Sequence, residues 1–126
     1  MNLAKYNQYA LPAGRILVGA FFFLAGVQKL MGIEGTAAYI ASVGLPMSTF
    51  LAWDAALFLV LVGGALIIGK YTKKAVLLLA AYTLLVTFLF HGPHLWAEDM
   101  GAKMAFMKNV AIFGGLLCMF ASAKSE

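Results

Sequence analysis

Charge is scarce in this chain. Only 11% of the 126 residues are charged, whereas hydrophobic residues make up 63% and the mean hydropathy is +0.92. A water-soluble domain of this length carries about a quarter charged residues, so these few charges do not cover a solvent-facing surface. The single cysteine, Cys118, lies in an apolar run. It excludes an internal disulfide and any dithiol chemistry within the chain, and the expected role is that of a buried structural thiol. No serine stands in a nucleophile-elbow setting, which argues against a hydrolase. Flavin, haem, iron–sulfur and dithiol signatures are all missing, so the chain is not expected to be an autonomous enzyme and carries no cofactor of its own. The net charge of +4 does not indicate nucleic acid, because the basic residues flank apolar segments and form no patch interleaved with exposed aromatics.

What remains is apolar sequence in four stretches. Their uncharged cores are Ile16 to Val27, Ala55 to Gly69, Ala75 to Phe90 and Asn109 to Ala123. A helix needs about 20 mostly apolar residues to cross the hydrocarbon. The expected spans are therefore Leu11 to Met31, Phe50 to Gly69, Lys74 to Gly92 and Met104 to Ala123. In the first, Arg15 and Lys29 extend their heads toward the two interfaces. Lys5 and the apolar run after it mimic a signal peptide, yet Lys29 closes the run with no small-residue cleavage site, so a retained first span is expected. Gly92-Pro93 ends the third span. Between the first two lies a connector whose Gly35–Val43 section predicts a short helix at the interface, turned by Gly44-Leu45-Pro46. The fold class expected is an all-α integral membrane four-helix bundle, with residues 1–126 as one membrane domain.

Basic residues set the orientation. Lys5, Arg15, Lys70, Lys73, Lys74 and Lys124 fall on the side of the termini, against Lys29, Lys103 and Lys108 on the other. Six against three predicts both termini in the cytoplasm of a prokaryotic inner membrane. Trp53 and Trp96 fall at the opposite interface, as an aromatic belt does.

The polar residues within the spans are unevenly placed. Lys29, Asp54, His91 and Lys108 come from four different helices and fall near the outer end of each. Ionisable groups at such depth are costly and usually functional. Arg15, Phe22 and Lys29 recur every seven residues with Gly19 and Gly26 near the same face, a face expected to look into the bundle. Thr83, Thr87 and His91 form a stripe on the third span, and Lys108, Gly115 and Ser122 share a face of the fourth. Two cations, an anion and an imidazole suit an anionic or carbonyl-bearing ligand such as a quinone head group or a sulfur oxyanion, with Asp54 compensating Lys29 or Lys108. The same residues are also what interfacial caps and register-fixing ion pairs look like. His91, His94, Glu98 and Asp99 are chemically suited to a metal, but Gly92-Pro93 removes any fixed helical spacing between the histidines, and no metal site is assigned.

The chain resembles the DoxX family of small four-helix prokaryotic membrane proteins. The resemblance rests on Arg15-Ile16-Leu17-Val18-Gly19 with Phe22, Gly26 and Lys29, on Gly44-Leu45-Pro46, on Val62-Gly63-Gly64, and on Gly69 with Tyr71-Thr72-Lys73. Phe88-Leu89-Phe90-His91 with Trp96, and Phe106-Met107-Lys108-Asn109 leading to Gly114-Gly115, complete it. It implies a role beside redox proteins, since relatives are linked to quinone-dependent thiosulfate oxidation and to complexes of superoxide-detoxifying and sulfur-transferring proteins. It also supports Lys29, His91, Lys108 and Asn109 as site residues. One departure stands out: Val60 occupies the position where the family commonly has a glutamate, and Asp54 lies six residues earlier. The leading expectation is a membrane subunit or anchor of an oxidoreductase assembly that uses quinone, partnered by the bilayer, by other membrane or redox proteins, or by copies of itself. A purely structural or assembly protein and a small-solute transporter component are the alternatives.

Overall fold

The computed structural model describes residues 3–91 and 100–123. Five α-helices follow a short 3-10 turn: α1 (Asn7–Met31), α2 (Ile33–Ser42), α3 (Ser48–Ile68), α4 (Thr72–His91) and α5 (Met100–Ser122). All but α2 contain a stretch long and apolar enough to span a membrane. At about 1.5 Å per residue, a helix the length of α3 matches a hydrocarbon core of about 30 Å. The described residues thus form an all-α membrane bundle.

The helices pack as two antiparallel pairs. The closest approach is between α1 and α3, and the second pair is α4 with α5; α3 meets α4 along a narrower seam, and α1 barely reaches α5. The residue type sets these distances. Gly19 and Gly26 of α1 face Gly63 and Val60 of α3 backbone to backbone. A β-carbon on Gly63 would lie 2.7 Å from the Phe23 amide nitrogen, and one on Gly26 would lie 2.8 Å from that of Val60. In a bilayer no hydrophobic force distinguishes a helix from lipid, so contact of this kind drives association. The core beside this seam holds Phe22, Leu59, Leu66, Val76, Leu79 and Leu116. Large apolar side chains such as Leu17, Leu24, Leu61 and Leu77 are exposed around the outside, where lipid replaces water as the solvent.

Helix boundaries depart slightly from the sequence expectation. α1 begins at Asn7, with Pro12 inside it; a proline near the start removes one amide from a helix that has turns to spare. The connector helix forms as Ile33–Ser42 and packs on the first half of α3 through Ala37, Ile40 and Ala52. Gly44, at φ +87°, turns the chain after it.

The end that carries the α3–α4 turn is held by cations. Arg15 Nη1 donates to the carbonyl oxygens of Leu66 at 2.6 Å and Ile67 at 3.2 Å, satisfying the last turn of α3. Lys73 Nζ donates to Phe120 O at 3.0 Å and lies 4.3 Å above the Phe120 ring, which does the same for α5. Each antiparallel pair is therefore stapled by a basic residue of one helix on the unpaired carbonyls of its neighbour. Gly69 suits this turn. Its φ of +90° favours glycine, and a β-carbon would lie 2.6 Å from Arg15 Nη1.

Candidate functional site

At the opposite end a cavity of about 830 Å³ opens over α3. Its floor is one face of that helix, Leu51, Asp54, Ala55 and Phe58, at the three- and four-residue steps that share a helical side. Thr36 and Tyr39 of α2, with Lys29 at the end of α1, form one wall. The other wall is a face of α4 that includes Tyr82, Leu85 and Leu89. The cavity exists because α2 and α4 both lean on α3 and, among the described residues, do not touch each other. Its deep end is closed by Phe58 and Tyr82, whose ring centroids are 5.2 Å apart.

The polar groups are gathered toward the mouth. Lys29 is half-buried, and Asp54 is exposed one turn above Phe58. Neither has a hydrogen-bond or ion-pair partner among the described residues, so Asp54 does not compensate Lys29 by direct contact. An ammonium and a carboxylate in one cavity, both free to bond elsewhere, suit a ligand with a polar head and an apolar body. Pockets of about 300–1,000 Å³ with mostly apolar walls and a few polar groups are typical of small-molecule sites.

The structure brings together only part of the sequence-expected cluster. Lys29 and Asp54 share the cavity. Lys108 is exposed on α5 and does not line it, and Asn109 is half-buried on the same helix. His91 is the last residue of α4, with its side chain outside the described residues; His94, Glu98 and Asp99 lie outside them altogether, as does Trp96. Arg15 belongs to the far end, where it bonds helix carbonyls. Lys108, Gly115 and Ser122 do share a side of α5, but all three are exposed, so that side faces away from the bundle. Cys118 is also exposed, against the expectation of a buried thiol. Thr83 and Thr87 are both buried; Thr87 Oγ1 donates to Thr83 O at 2.5 Å, and Thr83 Oγ1 has no partner among the described residues.

Val60 and Asp54 point to different surroundings. Val60 lies against Gly26 in the α1–α3 seam, whereas Asp54 faces the cavity. Six residues turn a helix through about 240°, so Asp54 occupies a different side of α3 from Val60, the position at which the resemblance leads one to expect a glutamate. Thr36, Tyr39 and Tyr82 were not expected from the sequence. The spacing of Leu78, Tyr82, Leu85 and Leu89 is a readable helical stripe, but among apolar residues it does not announce a cavity.

The DoxX family profile matches residues 10–92, from α1 to just beyond α4. Inner membrane protein YqjF of Escherichia coli (strain K12) is 35% identical over 118 residues, covering 93% of this chain and 86% of that protein. Inner membrane protein YphA of the same strain is 32% identical over 129 residues, with coverage of 94% and 91%. CatD of Bacillus subtilis (strain 168), whose name marks it as a candidate oxidoreductase, is 37% identical over 71 residues, or 56% of this chain and 51% of CatD. No solved structure matches.

Proposed function

The chain belongs to the DoxX family, and on that footing we propose that it is the membrane subunit or anchor of an oxidoreductase assembly, with a quinone head group as the ligand of the Lys29–Asp54 cavity. The observation that carries this reading is a cavity of about 830 Å³ within a membrane bundle, apolar along its walls and holding an unpaired ammonium and an unpaired carboxylate. A quinone is an apolar ring with two carbonyl acceptors, so Lys29 donates to one carbonyl while the contacting Phe58 and Tyr82 rings form an apolar wall against the ring. Asp54, at the mouth, is placed to exchange protons with solvent. The opening between α2 and α4 gives the tail a way out into lipid. With no redox centre in its own sequence, the protein works beside another membrane or redox protein that supplies the electrons. In this reading it sits in a prokaryotic inner membrane with both termini in the cytoplasm and the cavity at the outer face. The oxidoreductase name of CatD and the inner-membrane names of YqjF and YphA point the same way.

The test is binding of a short-chain quinone analogue to the purified full-length protein, with extraction of native lipids for bound quinone. Lys29→Ala is expected to weaken binding about tenfold or more, the value of one charge-assisted hydrogen bond. Absence of any quinone binding, or an unchanged affinity in Lys29→Ala, overturns the ligand assignment. A second reading, a structural protein without ligand chemistry, is favoured by one observation: Arg15 and Lys73 both serve helix ends. Under it, Lys29→Ala alters stability alone.

A further inference from the structure

The end of the bundle opposite the cavity carries Lys5, Arg15, Lys70, Lys73 and Lys74, and no acidic residue among those described. Lys73 is engaged on Phe120. Arg15 is only partly engaged. A guanidinium has five N–H donors in a fixed fork, and both of its bonds to α3 run through Nη1. Among the described residues nothing accepts from Nε or Nη2.

Beside that fork lies a second pocket, of about 230 Å³, at the junction of three helices. α1 contributes Leu11, Pro12 and Arg15, α4 its first residue Thr72, and α5 Met119 and Ser122. The hydroxyls of Thr72 and Ser122 have no described partner. The first turn of α4 adds amides that the helix itself leaves unbonded. The donors are thus a half-buried arginine held in place from one side and two hydroxyls, set against an apolar floor of Leu11, Pro12 and Met119.

We propose that this pocket binds the phosphate of an anionic phospholipid. Arginine recognises phosphate through paired N–H donors, and the pocket lies at the ends of membrane spans, the depth of lipid phosphates. Its volume falls below that of sites for drug-sized molecules, which suits a phosphate group with its chains left in the bilayer. The preference for an anionic lipid over a zwitterionic one follows from the charges nearby. Among the described residues Arg15 is the one charged group lining the pocket, and no carboxylate at this end is present to receive a headgroup ammonium. Basic pockets between spans are where anionic headgroups bind.

Native mass spectrometry of the full-length protein, loaded separately with phosphatidylglycerol, phosphatidylethanolamine and inorganic phosphate, tests this. One phosphatidylglycerol per chain is expected to survive activation that strips phosphatidylethanolamine. Arg15→Gln is expected to weaken its retention about tenfold, and Lys70→Gln, outside the pocket, to leave it within about twofold. Because Arg15→Gln also loosens α3, Thr72→Val with Ser122→Ala provides a second variant that keeps the helix cap; it is expected to weaken retention with the thermal transition unchanged. Equal retention of the two lipids, or a Lys70→Gln loss as large as that of Arg15→Gln, overturns the pocket in favour of diffuse surface charge. Binding of inorganic phosphate without phosphatidylglycerol overturns the lipid source.

Discussion

Lys29 and Asp54 lie in one cavity without bonding to each other, and this separates two roles that spacing alone had joined. An ion pair inside a membrane couples its partners strongly, whereas two groups that each face a cavity without touching respond to mutation independently. A double-mutant cycle on Lys29→Met and Asp54→Asn, read by thermal unfolding in detergent, is therefore expected to give a coupling below about 0.5 kcal/mol. A coupling of 2 kcal/mol or more, by the same principle about what contacting residues show, would mean that the two meet directly. Arg15 behaves in the opposite way. Its loss strands the Leu66 and Ile67 carbonyls at a helix end, and Arg15→Gln should destabilise the protein by about 1.5–3 kcal/mol, the worth of a charged hydrogen bond. Lys70→Gln, whose side chain bonds no helix end among the described residues, serves as the control and should melt as the parent does.

At the scale of elements the α1–α3 seam decides most. Gly26 and Gly63 have opposing backbone within 3 Å of where a side chain would begin, so no rotamer relieves a larger residue and the helices must separate. Gly63→Leu is expected to abolish the folded bundle, and Gly63→Ala to lower stability by about 1–3 kcal/mol, the usual cost of overpacking. Gly115→Ala on α5 meets open space and should be silent in the same thermal assay. These contrasts mark what the sequence reveals. Length and apolarity place the four spans, and Gly19, Phe22 and Gly26 identify the buried side of α1, because polar and small residues alternate there with larger ones. α3 is apolar nearly all round, so periodicity gives no hint that Val60 meets α1 while Asp54 meets the cavity. On α5, the spacing of Lys108, Gly115 and Ser122 establishes a common side but not its direction, and that side turns outward. A cavity formed because α2 and α4 both lean on α3 depends on how helices are arranged around one another, which no single helix's sequence encodes.

For the whole molecule, the two antiparallel pairs put the start of α1, the end of α5 and the Gly69–Tyr71 turn at one end and α2 with the cavity at the other. Charge argues which end faces the cytoplasm. Five basic residues among those described lie on the terminal side, and the three nearest the α3–α4 turn, Lys70, Lys73 and Lys74, fall within the short-loop range over which the bias operates. Arg15 and Lys73 belong to the same count, so residues that cap α3 and α5 also oppose translocation of that end. Because capping and orientation draw on the same cations, the two can be separated only by a label that reports sidedness directly. In a Cys118→Ser background, Lys70→Cys is expected to resist a membrane-impermeant maleimide in intact cells and to react after permeabilisation, while Glu34→Cys on α2 reacts in both. The reverse pattern would place the Lys29–Asp54 cavity on the cytoplasmic face, where Asp54 exchanges protons with the cytoplasm and any electron-donating partner docks from inside the cell.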